Sequence, residues 1–224
     1  MNEPARARGA VKLALVLMLA ALVALSLLLV SDLPSHWLGS MEGFGARWFG
    51  APPASIFHAR EVSKEGLGGP FTLLDAHNRP RSLDEFRGKV VVLTFGYTNC
   101  PDFCPTTLAK LAEARRMLGS DGTRVQVLFV TIDPARDSAQ LLDHYVPSFD
   151  PSFLGLRGTQ AQTEAVTRSF HANFQIVQDQ GQTLVDHTAS SYVIDAQGQT
   201  RLVSPYEQTA RSLAEDLTVL LRVG

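Results

Sequence analysis

Two cysteines, Cys100 and Cys104, are the only sulfhydryl residues in the 224-residue chain. A disulfide between them would close a very short loop, so loop-closure entropy would make it a weak source of stability. A disulfide framework in a small secreted domain also needs more cysteines, spread further apart. The pair therefore indicates chemistry, because a thiolate is both a nucleophile and a soft ligand for metal ions.

The elements on either side of the pair favour reactive thiols. The run Val90 to Phe95 is apolar and β-branched, which predicts a buried central strand ending shortly before Cys100. Pro105 suits the first turn of a helix whose apolar period continues to Leu118. Both sulfurs are therefore expected near helix N–H groups and the positive end of the helix dipole, where the thiolate form is favoured.

The rest of the globular part alternates between strand and helix patterns. Capping-box pairs at Ser82 with Glu85 and at Thr159 with Gln162 each precede a predicted helix. Apolar period and turn formers predict further elements over 71–74, 125–132, 138–145, 174–178, 183–186, 191–195 and 209–221. The pair 180–181 separates two of these strands as a hairpin or loop. The fold class is therefore α/β, with a mixed central sheet flanked by helices.

His187 is the best-placed candidate for a third metal ligand. Two thiolates suit Cu(I), and an added imidazole would complete a trigonal site that also accepts Cu(II). This histidine lies between the predicted hairpin and the next strand, where a loop could meet the cysteine loop. By position alone, a loop histidine is more often a surface residue than a ligand. Two cysteines and one histidine also describe zinc sites with an open position, so spacing does not exclude zinc.

The amino-terminal residues have the pattern of a membrane anchor. Arg6, Arg8 and Lys12 precede the run 13–30, in which Ser26 is the only polar residue. That run is long enough to span a bilayer as a transmembrane helix, and its basic flank predicts a cytoplasmic amino terminus. A cleaved signal peptide is the alternative. The run is longer than a usual signal core, however, and no clear Ala-x-Ala site follows it.

The chain therefore divides into four predicted parts. They are a cytoplasmic segment, a transmembrane anchor, a linker with several prolines and glycines, and one α/β domain, over 1–12, 13–30, 31–64 and 65–224. The positive-inside rule places the domain on the periplasmic, extracytoplasmic side of a cell inner membrane. The formal net charge of −2 provides no basic field that would attract nucleic acid.

Three motifs together resemble the Sco/SenC family of copper-binding thioredoxin-like proteins. The motifs are GYTNCPDFCP at 96–105, TIDPARD at 131–137, and DHTA at 186–189 before the strand pattern YVID. They occur in the family's order and at suitable intervals, and the resemblance covers nearly all of the domain. Within the second motif, Arg136 and Asp137 are expected to form a local ion pair or to cap the next helix.

The resemblance implies a thioredoxin-like fold and a copper site whose ligands are Cys100, Cys104 and His187. It implies a metallochaperone, rather than an enzyme, that delivers copper to cytochrome c oxidase subunit II or another copper-enzyme subunit, or prepares that copper site. A donor chaperone would supply the copper. Asp133 is similar to a family acidic residue near the site and is not assigned as a ligand. Arg157 departs from the family wording, since threonine is usual there.

Three other functions fit part of the pattern. A thiol–disulfide oxidoreductase needs only the two cysteines, one attacking and one resolving, and would leave His187 unused. Some members of the resembled family are thought to reduce cysteines of their target, so redox-active Cys100 and Cys104 stay open as a role. A peroxiredoxin-type thiol peroxidase shares the fold and would attack peroxide with a low-pKa cysteine. A purely structural exported domain explains neither the close cysteine pair nor the two other motifs.

Overall fold

The computed structural model describes residues 55–172, 174–179, 182–187 and 190–223, together with Leu17, Met18 and Leu22, which are helical. For 174–179 and 182–187 it describes the backbone. The predicted cytoplasmic segment and, apart from those three residues, the predicted anchor lie outside the described residues. Within the described part of the chain, no helix combines the length and the apolar character needed to cross a membrane.

An eight-stranded mixed sheet forms the centre of the domain. In chain order, the ten strands of the described residues, of which β7 and β8 lie outside this sheet, are β1 Arg60–Glu61, β2 Thr72–Asp75, β3 Pro80–Ser82, β4 Val90–Gly96, β5 Val125–Thr131, β6 Leu154–Arg157, β7 Phe174–Asp179, β8 Gln182–His187, β9 Ser191–Ile194 and β10 Thr200–Ser204. The sheet has the order β1-β10-β9-β4-β5-β6-β2-β3, and β7 and β8 pair separately. β4, β5 and β6 run parallel to one another, and the outer pairings are antiparallel.

The parallel strands β4 and β5 lie at the centre of the core. Every residue in both is buried, so both faces of these strands are covered, as their largely apolar sequences require. Val92 lies opposite Val127, and Gly96 lies opposite Thr131. Both strands were predicted from their sequence patterns, and the structure confirms them to within a residue. Because the two strands are parallel, the loops that follow them emerge at the same edge of the sheet.

Helices cover this sheet. They are α1 Phe103–Met117, α2 Ala139–Tyr145, α3 Gln160–Ser169 and α4 Ala210–Val223, with short 3-10 turns at Leu83–Phe86, Gly119–Arg124 and Val146–Ser148. α1 packs against α4, α4 contacts β4, and α2 contacts β6. The predicted capping box of α3 is confirmed, since the Gln162 N–H donates to Thr159 Oγ1 (3.2 Å) and the Thr159 N–H donates to Gln162 Oε1 (2.8 Å).

The domain begins before the boundary predicted at residue 65. Phe57 is buried, and β1 adds to the edge of the sheet beside β10. Asp216 on α4 is fully buried and accepts hydrogen bonds from the N–H groups of His58 (2.7 Å) and Ala59 (2.9 Å). Residues 55–64 are therefore part of the packed domain, although their sequence has no sustained period that would predict it.

The predicted hairpin is present as the antiparallel pair β7 and β8. Phe174 lies opposite His187, and Asp179 lies opposite Gln182. The predicted connection at 180–181 lies outside the described residues. The sequence interpretation placed His187 in a connection after the hairpin, whereas the structure makes it the last residue of β8.

Asp216→Ala is expected to lower the free energy of unfolding by about 3 kcal/mol, because it removes the acceptor of the part-buried His58 N–H and of the buried Ala59 N–H. Urea denaturation of the full chain in detergent measures the change. Glu215→Gln is the matched control, since its half-exposed ion pair with His58 should contribute less than about 1 kcal/mol. Equal effects of the two substitutions would show that Asp216 does not hold this segment on α4.

Candidate metal centre

The cysteine loop connects the end of β4 to the start of α1. The chain turns after Gly96, and the Cys100 N–H donates to the Tyr97 carbonyl (3.2 Å). The Thr106 N–H donates to the Asp102 carbonyl (3.2 Å), which starts the hydrogen bonding of α1. Cys100 therefore precedes the helix, and Cys104 is the second residue within it.

The two cysteine side chains lie together at the start of the helix. Both are free thiols and both are buried, with exposures of 7% and 4%. The Cys104 N–H donates to Cys100 Sγ (3.4 Å), so an amide of the first helical turn points at the first sulfur. Cys100 Sγ therefore lies against an N–H group of the helix start, which is the position that the sequence predicts for it.

The expectation of a favoured thiolate is wrong for Cys104. Burial raises the pKa of this thiol well above its usual value, and the neighbouring Cys100 and the charge of Asp137 raise it further. Position near a helix start does not compensate for removal of the sulfur from water. Cys104 is therefore an uncharged thiol in the metal-free protein, and a metal that binds it must displace a proton.

Gly96 leaves the space into which the second sulfur packs. A Cβ at this position would lie 2.7 Å from Cys104 Sγ and 2.7 Å from Phe129 Cε2, both far inside contact distance. The sulfur and the Phe129 ring of β5 therefore both lie close against Gly96 at the end of β4. This close approach explains why the strand ends in glycine. In the sequence, Gly96 is visible only as the first residue of the motif at 96–105.

A buried carboxylate holds the beginning of the cysteine loop. Asp137 is 1% exposed and accepts hydrogen bonds from the Thr98 N–H (3.1 and 3.3 Å) and from the Thr98 hydroxyl (2.5 Å). The Thr131 hydroxyl, at the end of β5, donates to the same carboxylate. The ion pair expected between Arg136 and Asp137 is not formed. Arg136 pairs instead with Asp133, whose side chain is buried. Asp137 therefore joins the loops after β4 and β5, a role that its position in the motif did not reveal.

Tyr145 brings a phenol to the same region. Its ring packs edge-on against Phe129, at 6.0 Å between centroids. Phe129 and Cys104 both lie close against Gly96. Its hydroxyl is buried and has no hydrogen-bond partner among the side chains and backbone groups that the structure describes. Burial raises the pKa of this phenol, and the charges of Cys104, Cys100 and Asp137 raise it further. Among the described residues, this hydroxyl is therefore a hydrogen-bond donor without an acceptor near the sulfurs. The sequence pattern predicts Tyr145 only as the end of a helix and does not reveal this position.

The third predicted ligand is described only by its backbone. His187 ends β8, and its side chain lies outside the described residues. Among the side chains that the structure does describe, no three His, Cys, Asp or Glu residues come together as a metal site. The structure thus brings Cys100 and Cys104 together, and the assignment of all three residues as copper ligands stays a prediction.

The family model SCO1/SenC matches residues 59–222. The chain belongs to the SCO1/SenC family. The resemblance inferred from the three motifs is therefore confirmed. The match includes both cysteines and His187.

Sequence relatives support the same assignment. A SCO2-like protein of Rickettsia prowazekii is 34% identical over 150 residues, which cover 66% of this chain and 73% of that protein. The mitochondrial SCO2 homologue of Bos taurus is 39% identical over 158 residues, 69% of this chain and 58% of that protein. The chain therefore spans about three quarters of the first of these Sco relatives and little more than half of the second.

Solved structures of the family confirm the thioredoxin-type α/β fold with its mixed sheet. Bradyrhizobium japonicum ScoI, solved with copper bound, is 35% identical, has a TM-score of 0.64, and is aligned over 69% of this chain and 99% of that one. BsSco, a member of the Sco family of cytochrome c oxidase assembly proteins, has a TM-score of 0.58 over 76% of this chain and 98% of that one. At 22% identity it supports the fold alone.

Gly96→Ala is expected to destabilise the domain by about 1–3 kcal/mol, because the added methyl group must displace Cys104 or Phe129. Urea denaturation measures the loss, and titration of free thiols with an aromatic disulfide reports any increased access to Cys104. The matched control is Gly69→Ala, where an added Cβ meets nothing within 4 Å. Wild-type stability and wild-type thiol access in the Gly96 variant would contradict the close packing described here.

Proposed function

We propose that the chain is a membrane-anchored copper metallochaperone that delivers copper to cytochrome c oxidase subunit II, or prepares the copper site of that subunit. The observation that supports this most directly is the buried, unbridged pair Cys100 and Cys104, with a helix amide donating to the first sulfur. The chain also belongs to a family in which Bradyrhizobium japonicum ScoI was solved with copper bound. Copper is the cargo of this function and not a catalytic cofactor.

The donor atoms suit a soft metal ion. Thiolate sulfur selects Cu(I), and one added imidazole nitrogen allows Cu(II) as well. Cys104 is an uncharged thiol without the metal, so loading must release its proton, and bound copper replaces the proton as the partner of the sulfur. The same donors could bind zinc with an open position. Copper is favoured here because the solved Bradyrhizobium relative holds copper.

The topology of the sheet supports His187 as the third ligand. β9 pairs antiparallel with β4, and Ser191 lies opposite Thr94, close to the end of β4 that leads into the cysteine loop. His187 precedes Ser191 by four residues. An extended chain spans at most about 3.3–3.6 Å per residue, so the β8 end is tethered near the same edge of the sheet. The short connection limits how far the imidazole can be from the sulfurs.

Transfer proceeds by exchange of ligands in this proposal. Copper held by two cysteines and one histidine passes to sulfur and nitrogen donors of the acceptor without a free ion in solution. A disulfide between Cys100 and Cys104 would remove both sulfur ligands, so the redox state of the pair controls whether the chain can load. A donor chaperone supplies the metal to the reduced form.

The amino-terminal pattern completes the proposed setting. Residues 13–30 form the anchor in the cell inner membrane, and residues 31–54, before the packed domain, form the linker. The basic residues before the anchor place the domain on the periplasmic side. A tethered domain meets its membrane-bound acceptor at a high effective concentration, which favours a weak and short-lived complex.

His187→Ala is expected to weaken copper binding by more than about 100-fold, because it removes a direct ligand. Loss of a residue that only hydrogen-bonds to a metal ligand typically weakens binding by about 10–100-fold. The Cu(II)–thiolate charge-transfer band should disappear as well. Both are measured by copper titration of the reduced full chain with absorption spectra. His144→Ala is the matched control, since this exposed histidine of α2 forms a hydrogen bond to a carbonyl of its own helix, that of Gln140 (2.8 Å).

The same variants separate the chaperone from a thiol–disulfide oxidoreductase. Exchange with a model disulfide needs only Cys100 and Cys104, so its rate should be unchanged in His187→Ala. If the His187 variant keeps wild-type copper affinity and its charge-transfer band, the three-ligand site is wrong. Retained exchange activity would then favour the oxidoreductase.

A further inference from the structure

Three loops of different function emerge at one edge of the sheet. β4, β5 and β6 are parallel neighbours, so their carboxyl ends meet at the same edge. The cysteine loop follows β4, the loop that contains Asp137 follows β5, and Arg157 is the last residue of β6. In α/β sheets, ligands bind in the crevice at this end of the strands. Arg157 therefore lies on the side of the molecule that carries the cysteine pair.

Arg157 is a half-buried cation with no counter-ion in the part of the chain that the structure describes. Its Nε is shielded from solvent and has no hydrogen-bond partner among those residues. Other half-buried arginines each pair with a carboxylate: Arg115 with Asp150 at 2.9 Å, and Arg201 with Asp195 at 3.3 Å. No ion pair involves Arg157 among the described residues. A shielded guanidinium N–H without an acceptor is costly, and a ligand that supplies one would relieve that cost.

The guanidinium lines a cavity of about 390 Å³ beside the cysteine side of the sheet. Leu74, Pro134 and Ala135 form its apolar wall, and the start of α3 forms the opposite side. Pro134 and Ala135 belong to the loop whose Asp137 holds the first residues of the cysteine loop. Arg157 is the one charged residue of the lining among the described residues, so the cavity has positive charge and an apolar wall.

The start of α3 adds backbone N–H donors, which carry partial positive charge. The capping box engages the N–H groups of Thr159 and Gln162, so neither is free for a ligand. Nothing in the described chain accepts from the N–H groups of the first two helical residues, 160 and 161, and these groups carry the positive end of the ten-residue helix. The nearest acid on α3, Glu164, is held by the Gln160 amide (3.1 Å) and by Arg168 (3.6 Å).

We infer that Arg157 and this cavity form a carboxylate-binding site that receives an aspartate or glutamate side chain of the protein to which the domain docks. The guanidinium supplies charge-assisted hydrogen bonds to the carboxylate, and the apolar wall contacts its methylene stem. A partner held there lies beside the cysteine loop, because both sites share the loop after β5. The inference of a protein partner rests on the proposed function, whereas the carboxylate site itself does not.

Nuclear magnetic resonance of the full chain in detergent micelles, labelled with ¹⁵N in arginine, tests the carboxylate site. Acetate is the probe, acetamide is its neutral counterpart, and chloride keeps the ionic strength constant. Acetate should shift the Arg157 Nε–H resonance with saturation, and acetamide should bind at least about tenfold more weakly. A resonance that does not move, or that moves equally with acetamide, overturns the site.

Association with the soluble copper-binding domain of oxidase subunit II tests the partner. Arg157→Gln should weaken that association by about tenfold or more. It should leave copper loading unchanged, because Arg157 ends β6 and does not belong to the cysteine loop. Arg116→Gln, which removes an exposed arginine of α1, is the control and should change neither. Unchanged association in Arg157→Gln overturns the partner assignment. Failure of the wild-type chain to load copper would contradict the proposed function instead, and the acetate titration would still decide the carboxylate site.

Discussion

Asp137 accepts hydrogen bonds from Thr98 and Thr131, and through them it joins the loop after β4 to the end of β5. Both cysteines depend on this connection, because the loop that carries them begins at Thr98. The carboxyl group is fully buried and has no cationic partner among the described residues, so these hydrogen bonds are what satisfy its oxygens. Loss of that arrangement would free the cysteine loop and leave buried polar groups without partners.

The buried charge also affects the chemistry of the pair. Asp137 and Cys100 both make a negative sulfur at Cys104 less favourable, in addition to the larger effect of burial. A cation that binds the sulfurs removes this penalty, since it neutralises the charge that the site otherwise opposes. The metal-free centre is therefore a poor environment for a bare thiolate at position 104 and a good one for a bound soft cation. That difference favours a site that holds a metal over one that presents a permanently activated nucleophile.

Much of the fold and part of the site could be predicted from the sequence. The strand that precedes Cys100 was predictable because its residues are apolar and β-branched without interruption, and the α3 cap because Thr159 and Gln162 have the required spacing. The packing of residues 55–64 was not, because it depends on Asp216, more than 150 residues away in the chain, which no local pattern connects to His58. The raised pKa of Cys104 was missed for a similar reason. Helix position is visible in a sequence, whereas burial under Gly96 and beside Phe129 is a property of the folded sheet.

Extended X-ray absorption fine structure at the copper edge of the Cu(I)-loaded full chain identifies the atoms that bind the metal. We expect copper with two sulfur neighbours and one nitrogen neighbour, and loss of the nitrogen when His187 is replaced by alanine. Copper bound by sulfur alone in the wild-type protein, or a nitrogen that persists without His187, would contradict the three-ligand site.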